Sequence, residues 1–275
     1  MKTGKILGIL CISLFAISSI SCTKDITKHL HFTQNEIIGD IISENQIPLK
    51  TNNITAYYQS STTINIRGNK GECSAVSSNE EVADFTIYDG DKKSITIYGH
   101  KPGNATITVK DAAGQTATLH VSVEYWEQNW EVEKYEVVVT GELLTEAEIK
   151  EIEKKALSSV PVKTGGGYRL VYTDYLNFKG DIYLYPEKRG DLSKKGAFEH
   201  VHNAYVDGRT KLVVTVDDKT FEFMLSYYDG NIGTTRAVVG PNHRGMLIEN
   251  LTDKYKPEYN NLEKVTVHQI YKNIY

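Results

Sequence analysis

Lys101-Pro102-Gly103-Asn104-Ala105-Thr106-Ile107-Thr108-Val109 opens as a turn and continues as a strand. Proline presets φ for the turn, and glycine supplies a backbone conformation that other residues resist. From Ala105 onward, apolar and hydroxyl-bearing side chains alternate with period two, the pattern of a strand with one buried face. The same alternation runs through Ser94-Ile95-Thr96-Ile97-Tyr98 and through Ala117-Thr118-Leu119-His120-Val121-Ser122-Val123. Further strand-like runs occupy 54–58, 63–67 and 84–88, and Asp89-Gly90-Asp91 and Ala113-Gly114-Gln115 separate neighbouring runs. Short strands at this spacing predict a β-sandwich over residues 46–124.

Upstream of that hairpin lies Ser77-Ser78-Asn79-Glu80-Glu81-Val82-Ala83. The two segments resemble the "SSN-x-x-VA" and "KPGTATITV" motifs of bacterial Ig-like group 2 domains, and residues 114–123 are similar to that family's last strand. The resemblance implies an Ig-like sandwich used as a spacer or adhesion module, with Val82, Ala83 and Ile107 in its core and no active site.

The N-terminus points to export. Met1-Lys2-Thr3-Gly4-Lys5 is basic, residues 6–17 are largely apolar, and Ser18-Ser19-Ile20-Ser21-Cys22 closes the run with small residues. This is the order of a secretory signal, and the apolar run is too short to serve as a spanning helix of roughly 20 residues. Ser19-Ile20-Ser21-Cys22 resembles the lipobox of bacterial lipoproteins, with serine where leucine is usual. The resemblance implies a cut ahead of Cys22, a diacylglyceryl group on its sulfur, and anchoring to a membrane by several acyl chains. An ordinary signal peptide cut near the same place is the alternative. Thr23-Lys24-Asp25 resembles the surface-export signal of some Gram-negative lipoproteins, so an outer-membrane, surface-exposed location is expected. Residues 22–45 read as a tether and lead-in, within which His29, His31 and Ile37-Ile38 pack locally.

Removing residues 1–21 takes two of the 31 basic residues and none of the 35 acidic ones, so the mature charge is −6. That balance gives no basic stripe for nucleic acid. Of three cysteines, Cys11 is expected to leave with the signal, and the lipobox resemblance implies lipid on Cys22. Cys73 therefore has no intrachain partner, and stability must come from core and sheets. Cys73 itself reads as a small, buried apolar residue.

Residues 125–275 form a second region. Residues 125–131 read as a linker or first edge, with Trp126 and Trp130 packing the domain junction. Residues 135–140 read as a strand. Thr145 and Glu148 form a capping box ahead of a helix whose Ile149, Ile152, Ala156 and Leu157 recur at helical spacing, with Pro161 beyond it. Strands are expected at 168–175, 181–185, 211–216, 220–227, 236–239 and 263–271, with Asp217-Asp218 turning a hairpin. Residues 246–255 read as a second helix stopped by Pro257. The expected class is mainly β, an Ig-like sandwich followed by an antiparallel α+β domain.

The candidate sites in this region are sparse. Glu199-His200-Val201-His202 sets two imidazoles on one strand face, which alone makes a weak metal motif. Lys163-Thr164-Gly165-Gly166-Gly167 follows a helix and precedes a strand, the reverse of a phosphate loop, and reads as a flexible connection. Asp174, Asp181, Glu187 and Asp191 lie near turns without the fixed separation that glycoside hydrolysis needs. Tyrosines crowd one stretch, and Tyr168, Tyr172, Tyr183 and Tyr185 are the candidate ligand-binding residues, since a phenol suits a surface that is half apolar and half wet. These features predict a lipoprotein without enzymatic activity, cofactor or metal, in which the sandwich acts as a stalk and the second domain binds a glycan or protein. The alternatives are a hydrolase, which would need converging ionisable groups in a deep pocket, and a subunit of a surface assembly, which would offer an unpaired edge strand.

Overall fold

The computed structural model describes residues 28–38, 41–90, 92–206, 209–228 and 244–274. The chain is mainly β, a two-sheet sandwich followed by a closed antiparallel barrel.

Among the described residues the sandwich contains nine strands: β1 (His31–Ile38), β2 (Ile41–Pro48), β3 (Asn53–Tyr57), β4 (Ser61–Arg67), β5 (Cys73–Ser77), β6 (Ala83–Tyr88), β7 (Ser94–Gly99), β8 (Gly103–Asp111) and β9 (Thr116–Glu124). One sheet has the order β2-β1-β4-β7-β6 and the other β3-β9-β8-β5. Only the β3/β9 pair is parallel among these neighbours. Alternation does what the sequence predicts. Ile64, Ile66, Ile95 and Ile97 face Ile107, Val109, Leu119 and Val121 across one buried core.

Val82, Ala83 and Ile107 are buried there, as expected. The two motif segments meet physically. Thr106 N–H donates to Ser78 Oγ at 2.9 Å, and Ser78 N–H donates to Thr106 O at 2.9 Å. Gly103 has φ +154, and a β-carbon there would sit 3.2 Å from a methyl of Val82. Cys73 is free and half-buried at the rim of this core, where burial raises its thiol pKa.

Strands β1 and β2, divided by the sequence reading between lead-in and sandwich, pair antiparallel at one edge of the first sheet. Phe32 pairs with Ile66 in register and is buried in the core. Its strand went unread because Thr33, Gln34, Asn35 and Glu36 break the apolar alternation after the first turn.

One residue, Tyr125, separates β9 from β10 (Trp126–Thr140). The barrel then adds α1 (Glu146–Ser158), β11 (Gly167–Asp174), β12 (Lys179–Tyr185), β13 (Lys194–Val206), β14 (Arg209–Val216), β15 (Lys219–Tyr228), β16 (Arg244–Asn250), α2 (Thr252–Tyr255) and β17 (Lys264–Asn273). Each strand pairs with the next, and β17 closes onto β10. Residues 125–131, expected as a linker or edge, are largely the first half of the 15-residue β10. A bulge between Val132 and Lys134 resets which side chains of that strand point inward.

The interior is largely apolar, filled by side chains such as Leu170, Ile182, Leu184, Leu212 and Phe223. The outer face carries ion pairs between strands, including Arg169–Glu127, Lys195–Asp181, Lys211–Glu222 and Lys272–Glu131. Membrane barrels have the opposite arrangement, with a lipid-facing apolar band.

The capping box of α1 is present: Thr145 Oγ1 accepts the Glu148 N–H, and Glu148 accepts the Thr145 N–H at 2.8 Å. Ile152 and Ala156 are buried against Val137, Val139, Val265 and Val267, so the helix covers the inward face of β10 and β17 at one end of the barrel. Leu157, assigned to the same apolar stripe, is exposed.

The glycines after α1 are tight rather than flexible. A β-carbon on Gly166 would meet Tyr185 O at 2.3 Å, and one on Gly167 would meet Trp130 O at 2.0 Å. Asp217 and Asp218 turn the β14/β15 hairpin with φ +49 and +59. Residues 246–255 correct the helix expectation: Met246–Asn250 belong to a strand, and only Thr252–Tyr255 is helical. The strand is buried on both faces, so its apolar residues run together and imitate a helix pattern. The strand expected at 236–239 lies outside the described residues.

Candidate functional site

The four tyrosines proposed as one binding face do not share a face. Tyr168 and Tyr172 point into the barrel with Leu170 and are each 2% exposed. Tyr183 and Tyr185 alternate with the buried Ile182 and Leu184 and point outward. Both pairs obey the two-residue period, but the register of β11 against β12 places Tyr168 opposite Leu184, not opposite a tyrosine. Tyr183 lies between two cations, with Arg169 5.4 Å and Lys195 5.8 Å from its ring centre. Arg169 is held by Glu127 at 2.5 and 2.8 Å, and Lys195 by Asp181 at 2.9 Å.

Tyr172 belongs to a different assembly, at the barrel end nearest the sandwich. Trp126 at the start of β10 lies 4.4 Å from the Tyr172 ring and 5.5 Å, edge-on, from Tyr175. Phe198 meets Tyr172 edge-on at 4.9 Å, and His200 is parallel to it at 5.9 Å. Phe178, at the turn into β12, lies 5.6 Å from Tyr175. Rings at these separations favour one another by roughly 0.5–1.5 kcal/mol per pair beyond their burial. Tyr172 Oη hydrogen-bonds Gln128 Oε1 at 3.0 Å and lies 3.1 Å from His200 Nε2. Burial raises the Tyr172 pKa, so the phenol stays protonated and donates. Trp126, Tyr175, Phe178 and His200 are each half-buried, so this is the partly open edge of the apolar interior.

Phe178 and Phe198 were not singled out from sequence. The signal for Phe198 was available: Phe198 and His200 occupy alternate positions of one strand, so the strand that presents His200 also presents the phenylalanine. The His200–His202 metal reading finds no support in this packing, since His200 faces Tyr172. The side chain of His202 lies outside the described residues. Among the described residues no group of three metal-ligating side chains converges.

Trp126 packs near the junction as expected, while Trp130 lies inside the barrel, stacked on Tyr271 at 4.5 Å. Across the junction, Gln59 Oε1 accepts the backbone N–H of Tyr175 at 2.8 Å. Tyr58 meets Tyr125 edge-on at 5.5 Å. A shallow cleft of about 450 Å³ opens beside them, lined by Tyr57, Pro102, Val123, Glu124, Tyr125 and Glu127.

Three of the four candidate carboxylates are occupied by neighbours. Asp174 is bonded by Asn177 and Lys179, Asp181 by Lys195, and Glu187 by Lys163 at 2.5 Å. Asp191 is exposed.

A polar group that the sequence reading missed lies deeper, towards α1. Gln269 is fully buried, and its Oε1 accepts Tyr168 Oη at 2.7 Å. Tyr135 Oη lies 3.4 Å from the same oxygen and donates its proton to Val162 O. Glu249 shares its face with its cross-strand partners Phe223 and Val267, and burial raises its pKa. Reading 246–251 as a strand would have exposed Glu249 as an inward-facing acid.

No family model matches the chain, and no curated protein matches it. Among solved structures, domains 5-6 of the S-layer protein SbsC match with 14% identity over 80% of this chain and 93% of that one, at a TM-score of 0.25. A likeness that low carries no argument about fold or function.

Proposed function

We propose that this chain is an exported lipoprotein, anchored through Cys22 and exposed at the cell surface, whose barrel binds a glycan or protein without catalysing a reaction. The sandwich is its spacer, in keeping with the resemblance to bacterial Ig-like group 2 domains. The observation that carries the binding reading is the half-open cluster of Trp126, Tyr172, Tyr175, Phe178 and His200. Aromatic faces with a polar tip suit a sugar ring or an apolar side chain of a partner. The spacer reading draws on the one-residue passage from β9 to β10 and on the Gln59 clamp, which together limit bending between the two parts.

The test uses the mature chain with Cys22 replaced by serine, so that it is free of lipid. It is offered to panels of surface glycans and envelope proteins while tryptophan fluorescence is followed. The proposal expects a ligand whose binding quenches Trp126 and is lost in Trp126→Ala. Turnover of any offered glycoside, ester or peptide, removed by a substitution in the barrel, would contradict it.

A further inference from the structure

Gln269 Nε2 and Glu249 Oε2 are both buried, and neither has a hydrogen-bond partner among the described residues. They are close in the fold. Leu247 pairs directly with Gln269 across β16/β17, and Glu249 lies two residues further along the same inward face. Tyr135 pairs with Gln269 from the other side. Tyr168 donates to the oxygen of the Gln269 amide at 2.7 Å, and the nitrogen is directed away from that phenol. Burial, with the charge of Glu249 as a smaller cause, raises the pKa of both phenols.

Buried polar atoms are rarely left unpaired, and the chemistry of this pair is selective. A metal cation would suit the carboxylate but would face the N–H of Gln269. An anion would suit the amide but would face the carboxylate. A hydroxyl satisfies both, because it donates to Glu249 and accepts from Gln269. We propose that the barrel contains a built site for a single hydroxyl group, held between Glu249 Oε2 and Gln269 Nε2 beneath Tyr135 and Tyr168. That hydroxyl is a trapped water or the alcohol of a bound polyol, and both sources meet the same two atoms. A buried water of this kind commonly makes about three hydrogen bonds.

A crystal structure of the full mature chain at a resolution that resolves ordered water decides the matter. The expected result is density within hydrogen-bond distance of both atoms. An isolated peak assigns the site to water, and a peak continuous with a larger molecule assigns it to a ligand alcohol. Glu249 bonded directly to the Gln269 amide, or an empty space between them, would overturn the proposal. A second measurement needs no variant. In solution the side-chain amide protons of Gln269 are expected to show magnetisation transfer from a long-lived water or from a ligand hydroxyl. Transfer from neither source would overturn the site as surely as the empty density.

Discussion

Gln59, in the turn between two sandwich strands, accepts the backbone N–H of Tyr175 in the first barrel turn at 2.8 Å. Gln59 itself sits at φ +59, an uncommon conformation for a non-glycine residue, and its own N–H donates to Gly99 O at 2.8 Å. A strained turn anchored on one part thus presents an acceptor to the other. Gln59→Ala leaves the Tyr175 N–H without its partner and should cost about 1 kcal/mol. Calorimetry should show one coincident unfolding of sandwich and barrel in the parent, resolved into two in Gln59→Ala and retained as one in Gln59→Glu, which keeps the acceptor. Unchanged melting in Gln59→Ala would remove the clamp from the account.

The helix end offers a second check. Thr145→Ala deletes the cap on the Glu148 N–H and should lower stability by about 1 kcal/mol in denaturant unfolding. Ile152→Ala opens a void between α1 and the valines of β10 and β17, with an expected loss of about 2–5 kcal/mol. A helix that only decorates the barrel would show neither loss.

Glu249 sets a pH dependence. Burial raises its pKa above the ordinary 4.5, so between 4.5 and the raised value the folded chain keeps a proton that the unfolded chain has lost. Below 4.5 both states are protonated. Stability attributable to this group therefore falls as pH rises through that window. Glu249→Gln should flatten the profile there and be more stable than the parent at neutral pH, by on the order of 1 kcal/mol. A parent profile that rises through the window on account of this residue would reverse the assignment.

The aromatic end makes a separable prediction. Trp126→Ala should weaken ligand binding at least about tenfold, the scale of a centrally buried aromatic contact. Tyr183→Ala, on the outer face between Arg169 and Lys195, should leave affinity nearly unchanged. Equal losses in both would move the site to the outer face.

The sandwich was legible because its strands keep one face apolar and one polar, and Pro102-Gly103 marks a turn with a physical requirement. The first strand pair was not, since Phe32 is followed by four polar residues and pairing with β4 alone places it. In the barrel, α1 was announced by Thr145 and Glu148. Barrel closure was invisible, because no local pattern records that β17 returns to β10. The strand at 244–250 was misread for a different reason: burial on both faces erases the alternation. The tyrosines were correctly assigned to strands, yet their division between inside and outside depends on the register of β11 against β12. The aromatic end collects rings from four elements, which only the closed fold brings together.

The central claim is that a lipid on one cysteine holds this sheet-rich chain to a membrane. Intact mass spectrometry of the mature protein from its native envelope tests it most directly. The account predicts a chain beginning at Cys22 whose mass includes a diacylglyceryl group, recovered with membranes and released by cutting the tether. A mature chain with an unmodified N-terminus, recovered free of membranes, would contradict it.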